Sequence, residues 1–293
     1  MREAPHAAWL EDGSRLHLRH GPIDLVIEAF GERAAVRAAH EAASRRFDGL
    51  LEALCAELDL LRAPQRAASP PAASDVARRM QAAVAPHAAR CFITPMAAVA
   101  GAVADTILAT MTAAAALRRA YVNNGGDIAL HLAEGERFAV GLVDRPDRPG
   151  LFGRGVVAAG DPVRGIATSG WRGRSFSLGI ADAVTILAAD AAAADAAATV
   201  VANAVDLPGH PAIRRRPARD LQPDSDLGDR LVTREVGPLS PMEIDRALAA
   251  GAAEAQGLVT RGLIAAAALH LAGTTRLVPA RHPLFVSRQP EAA

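Results

Sequence analysis

The sequence predicts an α+β fold: an antiparallel sheet with helices packed against it. Two observations carry this. Ser14–His20 and Ile23–Ala29 alternate or run apolar around Gly21-Pro22, a hairpin signature. Further along, short strand-like runs divided by Asn, Gly and Pro turns are interleaved with alanine-rich stretches of helical character. Hairpin–helix at the start and hairpin–helix–hairpin later suggest pseudo-repeated halves with helices on one face of the sheet, although no sequence repeat accompanies them.

Taken in order, Glu32–Leu61 places Ala35, Ala39, Phe47, Leu51 and Leu54 along one helical stripe. Residues 63–74 form a Pro/Ser/Ala linker, and Ser74-Asp75 is an N-cap for a helix reaching about Val84 and stopped by Pro86. Ala97–Leu117 reads as a long central helix. Ala120–Asn123, Asp127–Leu132 and Phe138–Val143 read as strands, followed by a polar turn at Asp144–Gly150. Strands are expected near Gly155–Ala158, Gly165–Thr168 and Ala183–Ala188, then a small-residue helix at Ala191–Ala204. A loop excursion at 209–228, a strand at Leu231–Val236 and a helix starting at Ser240-Pro241 and reaching about Ala255 come next. Leu263–Val278 reads as a hairpin turning at Gly273-Thr274, so that residues 1–280 make one domain and 281–293 a tail.

Composition narrows the chemistry. With 51% hydrophobic residues but only 3% aromatic ones, the core is built from alanine and packs by close backbone approach. A formal net charge of +0 gives no global field for nucleic acid. Every Lys/Arg position is arginine, which excludes Schiff-base chemistry, a phosphate-loop lysine and a lysine general base. Cys55 and Cys91 stand far apart in apolar contexts and read as reduced core thiols. His17 and His20 point to opposite faces of a strand and make poor joint metal ligands. Residues 1–13 lack an apolar core, and Asp105 interrupts the apolar run Met96–Leu117, so a cytoplasmic protein without export signal or membrane span is expected.

Four segments carry residue choices that core packing alone does not require. Asn123, Asn124, Gly125, Gly126 and Asp127 combine positive-φ glycines with amide and carboxylate groups suited to a heterocycle or hydroxyls, or else form a type I′ turn. Thr168, Ser169 and Gly170, followed by Arg172 and Arg174, form an anion cradle or a solvated loop. Asp195 and Thr199 are i and i+4 on a helix and share a face, a pair of hard oxygens suited to Mg²⁺ or a polar cap. Asp105 is a carboxylate in an apolar helix, either a packing contact or a site residue. Neither a G-x-S-x-G elbow nor a phosphate-loop motif occurs.

The order of these segments resembles the ApbE superfamily, the FAD:protein FMN transferases and their relatives. Gly101-Ala102-Val103-Ala104-Asp105, Asn124-Gly125-Gly126-Asp127, Thr168-Ser169-Gly170, the strand Ala183–Leu187 and Asp195–Thr199 follow the family's G-x-x-A-K-G, N-x-G-G-D, T/S-S-G, strand and A-D-x-x-x-T sequence. Ser175–Asp182 is closer to a small uncharacterised prokaryotic family related to ApbE. The resemblance implies a T-fold-like ApbE architecture. It also implies FAD across Asn123–Asp127 and Thr168–Gly170, and Mg²⁺ at Asp195 and Thr199 with the carbonyl of Ala104. The implied chemistry is phosphoryl transfer. Two features depart from the family: Asp105 stands where ApbE carries lysine, and the H-x-I-I-D-P segment is absent.

The expectation is therefore a flavin- or nucleotide-binding protein, a divergent Mg²⁺-dependent transferase or pyrophosphatase, forming a homodimer. Its alternatives are a non-catalytic structural or assembly protein on the same fold, and a pterin- or purine-type T-fold enzyme.

Overall fold

The computed structural model describes residues 4–143, 151–279 and 285–287. The chain divides into two compact units, Met1–Arg137 with Ala158–Ala167 and Ala188–Ala196, and Phe138–Val157 with Thr168–Leu187 and Ala197–Ala293. Strand pairs of defined register are all antiparallel, as the sequence predicts.

The first unit opens with strands β1 (His6–Trp9), β2 (Leu16–His20) and β3 (Ile23–Phe30). Helices α1 (Arg33–Phe47), α2 (Leu50–Ala56), α3 (Leu58–Arg62) and α4 (Asp75–Ala88) follow, then a 3-10 turn at Pro95–Ala98 that runs into α5 (Val99–Ala114). The hairpin β4 (Arg119–Asn124) and β5 (Asp127–Leu132) comes next. The sheet is ordered β1-β2-β3-β4-β5. Its far strand is completed by residues 165 and 166, which face Ala129 and Ile128. In β3 alternate residues are buried, with Leu25 and Ile27 fully so, the period that a sheet with one covered face imposes. Helix α5 lies on that face, against β4, β5, α1 and α4. Every residue from Gly101 to Leu108 in it is buried, which explains its apolar composition. Among the described residues, Pro95–Ala114 is the one stretch long and apolar enough to cross a membrane, and 56% of it is buried in this core.

The second unit contains β6 (Arg137–Val143) and β7 (Leu151–Ala158). Strand β8 (Gly165–Ser169) contributes to both units, and so do β9 (Ala183–Ala188) and α6 (Ala191–Ala204). The chain continues through β10 (Ile213–Pro217), α7 (Ala218–Leu221), β11 (Leu231–Val236), α8 (Pro241–Thr260), β12 (Ala266–Leu271), β13 (Thr274–Val278) and β14 (Phe285–Ser287). Strand β12 pairs with β9 on one side and β13 on the other, and α8 packs on β12 and β13. The start of α8 is a full capping box: the Ser240 hydroxyl accepts from the Glu243 N–H, and the Glu243 carboxylate accepts from the Ser240 N–H. Those bonds, and His210 at 2.8 Å, lower the Glu243 carboxyl to about 2. The element orders of the two units differ, so no repeat is legible in them.

Several boundaries differ from the sequence reading, each for a local reason. The predicted helix 32–61 is three helices: Gly49 at φ 76° separates α1 from α2, and Glu57 at φ −114° and ψ 15° separates α2 from α3. Pro86 stands inside the last turn of α4, where its missing N–H removes only one helical bond, and the helix runs on to Ala88. Strand β1 was not expected, and α8 reaches Thr260 rather than Ala255. The excursion at 209–228 contains β10 and α7, with β10 paired to β11. Within the predicted tail, β14 pairs with β7. The predicted turn at 144–150 lies outside the described residues. Cys55 and Cys91 are both exposed rather than in the core; Cys55 lies on the side of α2 away from its buried Leu50 and Leu54. His20 is buried against the Phe47 ring (centroids 6.4 Å), and His17 on the other face bonds Asp24 at 2.9 Å.

Two glycines mark where backbones meet without intervening side chains. A methyl group on Gly101 would overlap the Ala191 carbonyl, and one on Gly165 would overlap the backbone of Asp190. Gly101→Ala and Gly165→Ala are each expected to destabilise the protein by about 3 kcal/mol, the upper range for overpacking, measured by urea denaturation. Gly257, which has open space around its Cβ position, serves as the control: Gly257→Ala is expected to leave stability unchanged or raise it.

Candidate functional site

In the first unit the candidate residues gather around the N-terminus of α5. The β4–β5 turn is tight: Gly125 and Gly126 have φ 65° and 114°, conformations that a side chain opposes, and Asn124 faces Asp127 across the hairpin. Asn123 Oδ1 accepts the Gly126 N–H at 2.8 Å, which closes the turn. Asn124 is buried and works in two directions: its Nδ2 donates to the Ala100 carbonyl (3.2 Å), and its Oδ1 accepts from the Asp24 N–H (3.4 Å). This residue fastens the hairpin to the start of α5. The glycines are thus explained by the turn, while Asp127 is buried beside it.

Asp195 meets the same helix start from α6. Its carboxylate accepts the Gly101 N–H at 3.0 Å, one of the first-turn donors that α5 cannot satisfy internally. The residue preceding α5, Ala98, has no side chain able to do this. Burial pushes the Asp195 carboxyl well above the usual carboxylate range, and the charge of Asp127 pushes the same way. Asp105, on α5, makes the reverse contact. Its Oδ1 accepts from Ala191 N–H (3.1 Å) and its Oδ2 from Ala192 N–H (2.9 Å), the first two donors of α6. Asp190 caps the same end through Ala193 N–H at 2.8 Å. Asp105 is therefore a packing contact, one of the two roles open to it from sequence. Burial raises it to about 6, against the pull of the Ala192 bond. Ala104 lies in α5, fully buried, and Thr199 sits half-buried on α6 one turn after Asp195.

In the second unit, Thr168 Oγ1 hydrogen-bonds Thr185 Oγ1 at 2.9 Å across neighbouring strands. Ser169 ends β8, and a Cβ on Gly170 would overlap the Asp182 carbonyl. The residue that organises this segment is Asp182. Its Oδ1 accepts from Arg172 Nε (2.6 Å) and Trp171 Nε1 (3.2 Å), and its Oδ2 from Ala272 N–H (2.7 Å). Ala272 has φ 48°, which a non-glycine residue adopts at a cost, so Asp182 clamps a strained turn as well as the Trp171–Arg172 stack (4.3 Å). Arg172, one of the two arginines expected to cradle an anion, is thereby paired. The sequence assigns Asp182 no role of its own; its signals are its place at the end of the Ser175–Asp182 segment and its position just ahead of an apolar strand. His270 is buried and bonded to Thr275 at 2.8 Å. Arg214 is exposed, while Arg215 is half-buried and paired with Asp206, and both lie on strand β10.

Among the described residues no group of three or more His, Cys, Asp or Glu side chains is arranged to hold a metal ion. A cation here would have to be held by few protein ligands, the mode that suits Mg²⁺. A cation beside Asp195 would offset the charge of Asp127, which adds to burial in raising the Asp195 carboxyl.

Comparison with known proteins places this chain in a family. The family model described as "AbpE bacteria" matches residues 7–277, and the chain belongs to that family. A UPF0280 protein of Methanopyrus kandleri is 41% identical over 133 residues, 45% of this chain and 49% of that protein. One from Methanocella arvoryzae is 39% identical over 138 residues, covering 46% and 53%. The chain thus spans about half the length of the curated relatives it matches. The apo crystal structure of Pseudomonas stutzeri flavinyl transferase ApbE superposes with a TM-score of 0.42 at 12% identity, over 97% of this chain and 95% of that one.

Asp105 yields a pH signature. Its folded pKa, about 6, exceeds the ordinary 3.8, so between those values the native state keeps a proton that the unfolded chain has lost. Stability is therefore expected to fall as pH rises from about 4 to 6 and to level off above. In Asp105→Asn that slope should be smaller in thermal unfolding across this range. Asp105→Ala, which strands two buried N–H groups, should lose about 2 kcal/mol at pH 7. In the second unit, Asp182→Ala is expected to cost about 2 kcal/mol by the same reasoning, and Ala272→Gly to recover part of that loss in the double variant.

Proposed function

We propose that this protein binds a flavin nucleotide, FAD or a close relative, as a divergent Mg²⁺-dependent transferase or pyrophosphatase. The observation that carries the reading is the meeting of Asp195 and the Asp127 hairpin at the N-terminal end of α5, in a chain that belongs to the AbpE family. The order of motifs in this sequence, which resembles that of the ApbE superfamily, supports a flavin.

In this proposal Asn123, Asn124, Gly125, Gly126 and Asp127 receive the flavin nucleotide. The turn offers backbone approach without a Cβ at two positions, and Asn124 is held rigid by its bonds at 3.2 and 3.4 Å. Thr168, Ser169 and Gly170 are carried in the same proposal on the sequence resemblance. Asp195 and Thr199, with the carbonyl of Ala104, are proposed to hold Mg²⁺, which when bound supplies charge neutralisation on a pyrophosphate. Asp195 would act as the anionic ligand once its proton is displaced. The backbone N–H of Gly101 orients its carboxylate. Asp105, occupied with α6, takes no part in the chemistry proposed. A cytoplasmic homodimer belongs to the same proposal, and light scattering at twice the 30.3 kDa chain mass would support it.

One observation favours a second reading, a non-catalytic protein on this fold: the Asp195 carboxylate already caps α5 and has a structural reason to exist. Titration with FAD, with and without Mg²⁺, separates the two. Affinity is expected to tighten at least tenfold with Mg²⁺, about 1.4 kcal/mol, and that gain is expected to vanish in Asp195→Asn and in Thr199→Val. Release of FMN and AMP would establish catalysis. Binding without products would leave a carrier, and no binding under either condition would overturn the flavin reading.

A further inference from the structure

A second concave feature of the first unit shares no residue with the site above. A cleft of about 790 Å³ runs between strand β1 and one stripe of helix α1. Its helical wall presents Arg33, Val36, Arg37, His40, Glu41, Ser44 and Arg45, the i, i+3, i+4, i+7 spacing of a single face. Leu16 and Ala29 form an apolar floor, and Trp9 closes the strand side.

Three properties of this cleft are not explained by packing. Trp9 is 56% exposed, unusual for the largest apolar side chain, and meets His40 in a T-shaped contact with centroids 5.1 Å apart at 84°. More than half of its surface is thus left for another partner. His40 is 4% exposed, and neither ring nitrogen has a hydrogen-bond partner. Burial lowers its pKa, so the ring is neutral at pH 7 and carries one unanswered donor and one unanswered acceptor. Buried polar groups of this kind are rare because each costs about 1–3 kcal/mol. Finally, Arg33 and Arg37 are exposed one turn apart with no ion pair among the described residues, whereas Arg45 pairs with Glu41 at 3.8 Å. The free positive charge therefore lies at the Arg33 end of the cleft.

We propose that this cleft binds a small planar ring bearing one anionic group, a carboxylate or a phosphate, with the ring against Trp9 and the anion on Arg33 and Arg37. The volume lies in the range of small-molecule sites. Aromatic stacking and guanidinium–anion bonds are the two contacts that these side chains make best. The alternative of an added peptide strand is less well served, since β1 offers an edge of only four residues.

Phenyl phosphate is the probe. The chain has two tryptophans, so in Trp171→Phe the emission reports Trp9 alone. A saturable emission change is expected, with apparent affinity reduced at least tenfold in an added Arg33→Gln/Arg37→Gln pair. Phenol and inorganic phosphate, each carrying half of the recognition, should both bind more weakly than phenyl phosphate. Should Trp171→Phe not fold, ¹⁵N-histidine spectra of the wild-type protein replace it, with the His40 resonance assigned by its loss in His40→Gln and expected to shift on binding. No saturable change, equal affinity in the arginine variant, or a signal that follows protein rather than probe concentration would overturn the proposal.

Discussion

The first unit depends on an exchange of caps between two helices. Asp195 of α6 satisfies the start of α5, and Asp105 of α5 satisfies the start of α6. Both helices are built almost wholly from alanine and other small residues, which supply little side-chain area for burial. Their association therefore rests on close backbone approach, and close approach buries helix ends whose N–H groups must be paired. A carboxylate from each partner does this, Asp105 with both of its oxygens, and adds a favourable interaction with the helix dipole. Glycine at 101 and 165 is the geometric condition for the exchange, since a side chain at either would push the backbones apart.

The exchange has an electrostatic cost that is relevant to function. Two carboxylates are held in a low-dielectric core with no arginine side chain bonded to either, and a third, Asp127, stands near enough to raise Asp195 further. Backbone N–H groups stabilise the charged forms, and burial works against them and wins. A group left in that condition responds readily to a proton or a cation. The same residue can thus serve as a cap in the empty protein and as a ligand when a cation is supplied, which is why its structural role and the proposed metal role are compatible. The second unit solves a similar problem with Asp182, but there Arg172 and Trp171 supply side-chain donors as well. That carboxylate is satisfied outright and acts as a clamp on Ala272.

Much of the scaffold was legible in sequence because it depends on local rules. Gly21-Pro22 and Asn124-Gly125-Gly126 announce turns through positive φ, and Ser240-Pro241 announces a helix start through capping chemistry. The misses share a different origin. Strand β1 has too few residues for a period to show, and β10 exists only because β11 pairs with it. The exposure of Cys55 depends on which face of a two-turn helix is covered. His40 lies in a helix of ordinary composition, and nothing in its neighbours along the chain signals that its ring would be buried without partners.

By itself the sequence determined the α+β class, the antiparallel hairpins, the alanine-rich helices and the candidate residues Asn123–Asp127 and Asp195, since each rests on propensities and spacings within a few residues. Tertiary structure alone decided that Asp105 faces α6, that Asp195 faces α5, that Asp182 holds Ala272, and that Trp9 and His40 meet. These pairings span 30 to 95 residues of chain. Their partners are backbone N–H groups or ring edges that every residue or many residues could supply. No local pattern can distinguish such partners; only the packing of the sheet and its helices selects them.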